Sequence, residues 1–156
     1  MSDSRTSVLY ISYDGMLEPL GQSQVLAYLE QLAPDFRIHL LSFEKPSDLA
    51  KSDLVKTVRA RIEAAGIRWT RLRYHKAPSA PATAFDIAVG SAVATAIAIR
   101  HRVSVVHARS YVPGLMALVV KRASGARFLF DMRGLWADER VDGGIWPKDG
   151  ALFHGA

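Results

Sequence analysis

Residues 7–13, SVLYISY, decide the fold of this chain. The run is short, uncharged and nearly continuous in β-branched and aromatic side chains, which is typical of a strand buried on both faces of a parallel sheet. A loop with Gly15, Pro19 and Gly21 follows, and the apolar residues of 23–33 then recur at helical spacing. The stretch therefore predicts a strand that passes through a loop into a helix.

The same alternation continues along the chain. Later strands are predicted at residues 38–43, 67–74, 103–108 and 127–131, and helices from Pro46 to a left-handed cap at Gly66, at 82–99 and at 114–123. The third strand carries three arginines, which places it at a sheet edge. With right-handed crossovers and two winding directions, the pattern predicts a Rossmann-like, doubly wound α/β fold of three layers and strand order 3-2-1-4-5.

Composition narrows the class of protein. Hydrophobic residues make up 49% and charged residues 22% of the 156 residues, as in one soluble globular domain. Cysteine is absent, which excludes disulfides and thiolate chemistry and fits a cytoplasmic location. The net charge of +5 suits either an acidic partner or simple solubility. Residues 82–99 are long enough for a membrane span, but their Ala, Gly, Ser and Thr content favours a helix packed on the sheet.

Ligands of doubly wound sheets bind beyond the carboxyl ends of the strands, where the winding reverses, here between strands 1 and 4. In the first loop, Gly15 and Gly21 let the backbone approach a ligand. A helix start near residues 22–24 would offer N–H groups to an anion. The alternative is a plain turn with Ser23 as the N-cap. Neither a dinucleotide fingerprint nor a Walker A motif is present.

The ends of strands 4 and 5 carry further polar groups. His107, Arg109 and Tyr111 alternate at the end of strand 4 and predict a binding cluster, although a lone strand histidine is often a core residue. After strand 5, the ring of Trp136 could stack on a sugar. It is surrounded in the sequence by six charged residues: Asp131, Arg133, Asp138, Glu139, Arg140 and Asp142. The alternative for this segment is a solvated loop of ion pairs. No histidine pair at ligand spacing and no Asp-x-Asp occur, so no metal is expected.

Two long motifs carry a resemblance to a known family. Residues 8–26 (VLYISYDGMLEPLGQSQVL) and 130–144 (FDMRGLWADERVDGG), with HARSY at 107–111 between them, resemble the N-terminal domain of a subgroup of bacterial family 4 glycosyltransferases. The resemblance covers essentially the whole chain.

This resemblance implies a GT-B enzyme of two Rossmann-like domains, of which residues 1–156 are the N-terminal, acceptor-side one. Such enzymes transfer a sugar from a nucleotide-diphosphate donor with retention of configuration and without a metal or cofactor. The acceptor here would be a polysaccharide or glycolipid precursor. The missing C-terminal domain would hold the nucleotide, so this chain alone is expected to be inactive.

The resemblance also implies roles for single residues. The loop of Gly15, Gly21 and Gln22 would approach the donor diphosphate. Family members often carry His-x-His at the end of strand 4, but this chain has His107 and Arg109. Arginine cannot act as a base, so Arg109 is expected to bind substrate, and His107 remains the only candidate for a catalytic residue.

Two other interpretations stay open. The chain could be a stand-alone Rossmann-like module that binds a nucleotide or another anion without catalysis. Separately, one basic cluster could bring the protein to the anionic inner face of the plasma membrane, or could simply be solvated. That cluster comprises Arg59, Arg61, Arg68, Arg71, Arg73 and Lys76.

Overall fold

The computed structural model describes residues 5–132 and contains one five-stranded sheet. All neighbouring strands are parallel, and their order is β3-β2-β1-β4-β5, so the predicted doubly wound fold is confirmed. The strands are β1 (Thr6–Ser12), β2 (Phe36–Glu44), β3 (Arg68–Arg73), β4 (Val105–Arg109) and β5 (Arg127–Asp131). The helices are α1 (Ala27–Leu32), α2 (Pro46–Leu49), α3 (Ser52–Ala64), α4 (Ser79–Arg100) and α5 (Tyr111–Ser124).

Alternate residues of the central strand enter two separate cores. Leu9 and Ile11 are fully buried in a core that also contains residues of α4 and α5. Tyr10 lies on the other face, in a core with Val25 and Ile62 from the first helical segment and α3. Because side chains alternate along a strand, one apolar run supplies both cores. This produces the three layers expected from the sequence.

Helix α4 packs on the sheet, as expected from its composition. Its 22 residues are long and apolar enough to cross a membrane by length and composition, and 33% of the apolar window is buried in the fold. The buried positions are mostly small residues and include Gly90, Ala94 and Ala98. Small side chains let the helix approach α5 and the sheet closely, which accounts for its content of Ala and Gly.

His39 predicts a pH dependence of stability. It lies partly buried on β2, with its ring 4.3 Å from that of His101. Burial and the charges of His101, Arg68 and Arg37 lower the pKa of His39 from 6.5 to about 4. Between these two pH values the unfolded chain binds a proton that the folded chain does not, so stability falls as pH falls. Because the side chain is only partly buried, solvent screens part of this effect, and we expect a loss of about 1–2 kcal/mol from this histidine between pH 6.5 and 4.

Urea unfolding of wild type and His39→Leu across pH 4–7 measures this effect. The variant is expected to have the flatter dependence of unfolding free energy on pH. Equal slopes for the two proteins over this range would contradict the assignment to His39.

Candidate functional site at the carboxyl edge of the sheet

The loop that follows β1 connects two polar clusters at the carboxyl edge of the sheet. Tyr13 and Asp14 are its first residues, and they bond to different partners. Asp14 bonds to Arg109 at the end of β4, whereas Tyr13 bonds to Asp86 of α4. The loop therefore lies where the winding of the sheet reverses, the location in which such folds bind ligands.

The arginine cluster comprises Arg109, Asp14, Gln24 and Asp131. The Arg109 guanidinium donates from Nε to Asp14 Oδ2 (3.1 Å) and from one Nη to Gln24 Oε1 (2.7 Å). Its other Nη lies 4.0 Å from Asp131 Oδ2. Arg109 is only 4% exposed. Through these three contacts it joins the first loop, the first helical segment and the end of β5. Its role as a substrate contact stays a prediction, because these protein groups already engage the guanidinium.

His107 lies on the same side of β4 as Arg109, two residues further from the carboxyl end of the strand. Its ring contacts those of Tyr10 (4.6 Å between centroids) and Tyr28 (6.3 Å). Burial lowers the pKa of His107, against a smaller opposing effect of Asp131, so the ring is neutral at pH 7. Its Nε2 is buried and has no hydrogen-bond partner within the described part of the chain. This environment is that of a packed histidine near the rim, and a catalytic role stays a prediction.

Close packing explains both glycines of the first loop. A Cβ on Gly21 would lie 2.0 Å from the carbonyl oxygen of Gly15, and a Cβ on Gly15 would lie 2.7 Å from Glu44 Oε2. The protein itself fills the space that side chains would occupy at these two positions. The predicted approach of Gly15, Gly21 and Gln22 to a donor diphosphate is a separate matter and stays a prediction.

The first helix begins earlier than the sequence pattern indicated. Helical backbone starts at Pro19, a π-helical segment spans Gly21–Leu26, and α1 continues from it. Gln22 N–H donates to Glu18 O (3.1 Å), and Ser23 Oγ donates to Leu20 O (3.4 Å) inside the helix. The expected helix start at residues 22–24, with Ser23 as a possible N-cap, is therefore wrong.

Glu44 is a residue that sequence reasoning missed. It ends β2 and is fully buried. Its Oε1 accepts bonds from Met16 N–H (2.9 Å) and Ser42 Oγ (2.6 Å), and its Oε2 accepts one from Leu17 N–H (3.1 Å). Trp69 Nε1 in turn donates to Ser42 Oγ (2.8 Å). This carboxylate fixes the backbone of the first loop on the end of the neighbouring strand.

The aspartate cluster comprises Asp86, Tyr13 and His75 and was also missed. Asp86 is 1% exposed. Its Oδ2 accepts bonds from Tyr13 Oη (2.9 Å) and His75 N–H (3.0 Å), and its Oδ1 lies 2.6 Å from His75 Nδ1. Burial first, and then the hydrogen bond to Asp86, raise the pKa of Tyr13 above its usual range. The phenol therefore stays protonated and donates, and the cluster ties the loops after β1 and β3 to α4.

Ser110 holds a strained backbone between β4 and α5. Its φ of 72° and ψ of −178° lie in a region that is essentially restricted to glycine and costs about 1–3 kcal/mol for other residues. Its N–H donates to Asp131 O (2.9 Å), and its carbonyl accepts from Gly114 N–H (3.0 Å). Strain of this kind is concentrated at functional sites, and here it lies beside the arginine cluster.

Ser110→Gly is therefore expected to stabilise the protein. Relief of strain exceeds the extra chain entropy of glycine, for a net gain of about 1 kcal/mol in unfolding free energy. Ser104→Gly is the matched control, because Ser104 is exposed and its φ is not positive; it is expected to lose about 0.5–1 kcal/mol. Urea unfolding measures both, and a loss of stability in Ser110→Gly would contradict the strain.

Of the other predicted site residues, two lie within the described residues and four lie outside them. Tyr111 is 41% exposed at the start of α5, with its ring 5.6 Å from Phe130, and Asp131 ends β5. The remaining four predicted contacts lie outside residues 5–132: Arg133, Trp136, Asp138 and Glu139. Within 5–132, no three His, Asp or Glu side chains form a group that could hold a metal ion.

The sequence matches no protein-family model and no curated protein. Among solved structures, the fold is similar to a glycosyltransferase from Rickettsia africae ESF-5, with a TM-score of 0.52 and 18% identity over 85% of this chain. The match covers 31% of that glycosyltransferase, so the present chain spans under a third of its length. At 18% identity, the similarity demonstrates a shared fold.

Two universal stress proteins are less similar. One, solved in complex with cAMP, has a TM-score of 0.45 and 11% identity, and the match covers 83% of this chain and 98% of that one. The other, from Burkholderia pseudomallei, has a TM-score of 0.39 and 14% identity over 84% of this chain and 98% of its own.

Proposed function

We propose that this chain is the acceptor-side domain of a retaining GT-B glycosyltransferase of family 4. The intact enzyme would transfer a sugar from a nucleotide-diphosphate donor to a polysaccharide or glycolipid precursor. A second Rossmann-like domain would hold the nucleotide across a cleft from the carboxyl edge described above.

The bonding of two sequence motifs to each other carries this proposal. Arg109, from the motif at 107–111, donates to both Asp14 and Gln24 of the motif at 8–26. Both motifs thus form one rim at the switch point of the sheet. The similarity in fold to the Rickettsia glycosyltransferase supports the same class of enzyme.

Within this proposal the rim has two parts. Gly15, Gly21 and Gln22 would bring the first loop close to the donor diphosphate. The acceptor would contact Tyr111 and Asp131, and beyond them the segment around Trp136. An exposed phenol and a carboxylate suit a carbohydrate, because the ring can pack on a sugar face while the carboxylate accepts hydroxyl hydrogen bonds.

Thermal-shift screening and a transfer assay test the proposal together. The full-length product of the reading frame that encodes this chain is screened against a panel of nucleotide sugars. A labelled form of any stabilising sugar is then incubated with lipid and polysaccharide extracts. We expect one donor to raise the melting temperature and label to enter an acceptor with retained configuration, and residues 1–156 alone to transfer nothing.

A pair of α5 variants makes the test specific to this rim. Tyr111→Ala is expected to raise the acceptor KM at least about fivefold with little change in melting temperature, a loss of about 1 kcal/mol in binding. Leu115→Ala, one turn further along the helix and also exposed, should behave as wild type. No stabilisation by any nucleotide sugar would reject the proposal, and anion binding without transfer would favour the stand-alone module.

A further inference from the structure

A concave site separate from the arginine cluster lies at the carboxyl ends of β2 and β3. It has a volume of about 490 Å³, and its polar lining consists of Lys45, Ser47, Arg73, Tyr74, His75 and Lys76. We propose that this basic pocket binds a phosphate-bearing ligand, a phosphomonoester or a diphosphate. The proposal goes beyond sugar transfer and does not rest on it, because the residues that line this pocket follow β2 and β3 and are not among those assigned to sugar transfer.

The charge of the basic pocket supports an anionic ligand. Lys45 bonds to Glu18 (2.6 Å), which offsets part of its charge. Arg73 and Lys76 have no ion-pair partner among residues 5–132. Guanidinium and ammonium groups that converge on one concavity are the usual ligands of phosphate oxygens.

Three other arginines of the basic cluster contact protein groups instead of lining the pocket. Arg61 is held by Glu30 through two hydrogen bonds of 2.6 and 2.7 Å. Arg68 contacts His101 Nδ1 (3.1 Å), and Arg71 lies 5.0 Å above the ring of Trp69. These three cations therefore serve contacts within the fold. Arg73 and Lys76 are the members of the basic cluster that line a cavity without such a contact.

The far wall of the basic pocket is fixed in advance. His75 is held through its backbone N–H and Nδ1 by Asp86, which is 1% exposed. Tyr74 N–H donates to Glu44 O (2.9 Å), so the segment from 73 to 76 is anchored at two points. A preformed wall lowers the ordering cost of binding.

Isothermal titration of the full 156-residue chain tests the basic pocket, with pyrophosphate and inorganic phosphate as probes. We expect saturable binding of pyrophosphate, weakened at least about tenfold in the double variant Arg73→Gln/Lys76→Gln. The matched control is Lys56→Gln/Arg59→Gln. It removes the same charge from exposed positions of α3 outside the pocket and should change affinity less than about twofold.

Vesicles distinguish the source of the phosphate. Binding of pyrophosphate but not of phosphatidylglycerol vesicles assigns the pocket to a soluble ligand. Binding of both, lost together in Arg73→Gln/Lys76→Gln, assigns it to a lipid-linked phosphate. The proposal is overturned if wild type binds no pyrophosphate, or if both double variants weaken binding equally. Neither result bears on whether the intact protein transfers a sugar, which is assayed separately.

Discussion

Gly21→Ala is expected to destabilise the protein by about 2–3 kcal/mol, although alanine is the better helix former. In a helix, this change normally gains about 1 kcal/mol. Here the new Cβ would lie 2.0 Å from the backbone oxygen of Gly15, and a backbone atom cannot rotate away. Relief requires the loop or the helix to shift, so packing outweighs propensity and the sign of the change is reversed.

Urea unfolding measures the effect, and Ser23→Ala is the control. Ser23 lies in the same π-helical segment, is exposed, and makes only a 3.4 Å bond to Leu20 O. We expect that variant to stay within about 0.5 kcal/mol of wild type. A Gly21→Ala protein as stable as wild type would show that the helix does not pack on the loop in this way.

Glu44→Gln is expected to cost about 2 kcal/mol of unfolding free energy, although it changes neither size nor shape. The three groups that hydrogen-bond to the Glu44 carboxylate are all donors: Met16 N–H, Leu17 N–H and Ser42 Oγ. A glutamine presents an NH₂ group to one of these donors, which is then buried without an acceptor. The lost unfolding free energy therefore arises from a donor left without an acceptor, and not from a change in packing.

Glu18→Gln is the matched control, because it makes the same chemical change where the side chain is partly exposed. Its bond to Lys45 is a surface ion pair, worth at most about 1 kcal/mol. Thermal and urea unfolding of the two variants are compared with wild type. If both changes cost the same small amount, Glu44 does not hold the first loop.

The fold could be predicted from the sequence because the spacing of apolar residues within each short segment indicates a strand or a helix. β5 was predicted with its bounds unchanged, since Gly125 and Asp131 delimit a short apolar run. The start of the first helix was missed even though Pro19, a residue type favoured at the first helical position, marks it. Gly15 and Gly21, which lie on either side of Pro19 in the sequence, obscured that signal.

The network that organises the site could not be predicted in the same way. Glu44 meets its loop partners across 27 and 28 residues, and Asp86 meets Tyr13 across 73. No local period encodes such pairs. A weak signal existed for Asp86, because a single carboxylate in an otherwise apolar helix must find a donor once it is buried.

The adjacency of Tyr13 and Asp14 has a consequence for communication between the two ends of the rim. Tyr13 bonds to Asp86, which also holds His75 in the lining of the basic pocket, and its neighbour Asp14 bonds to Arg109. A ligand that displaced the loop at one end would therefore be expected to shift the bonded groups at the other. Thermodynamic coupling is reciprocal, so whatever factor a phosphate ligand imposes on affinity at the Arg109 end, a ligand there imposes on phosphate.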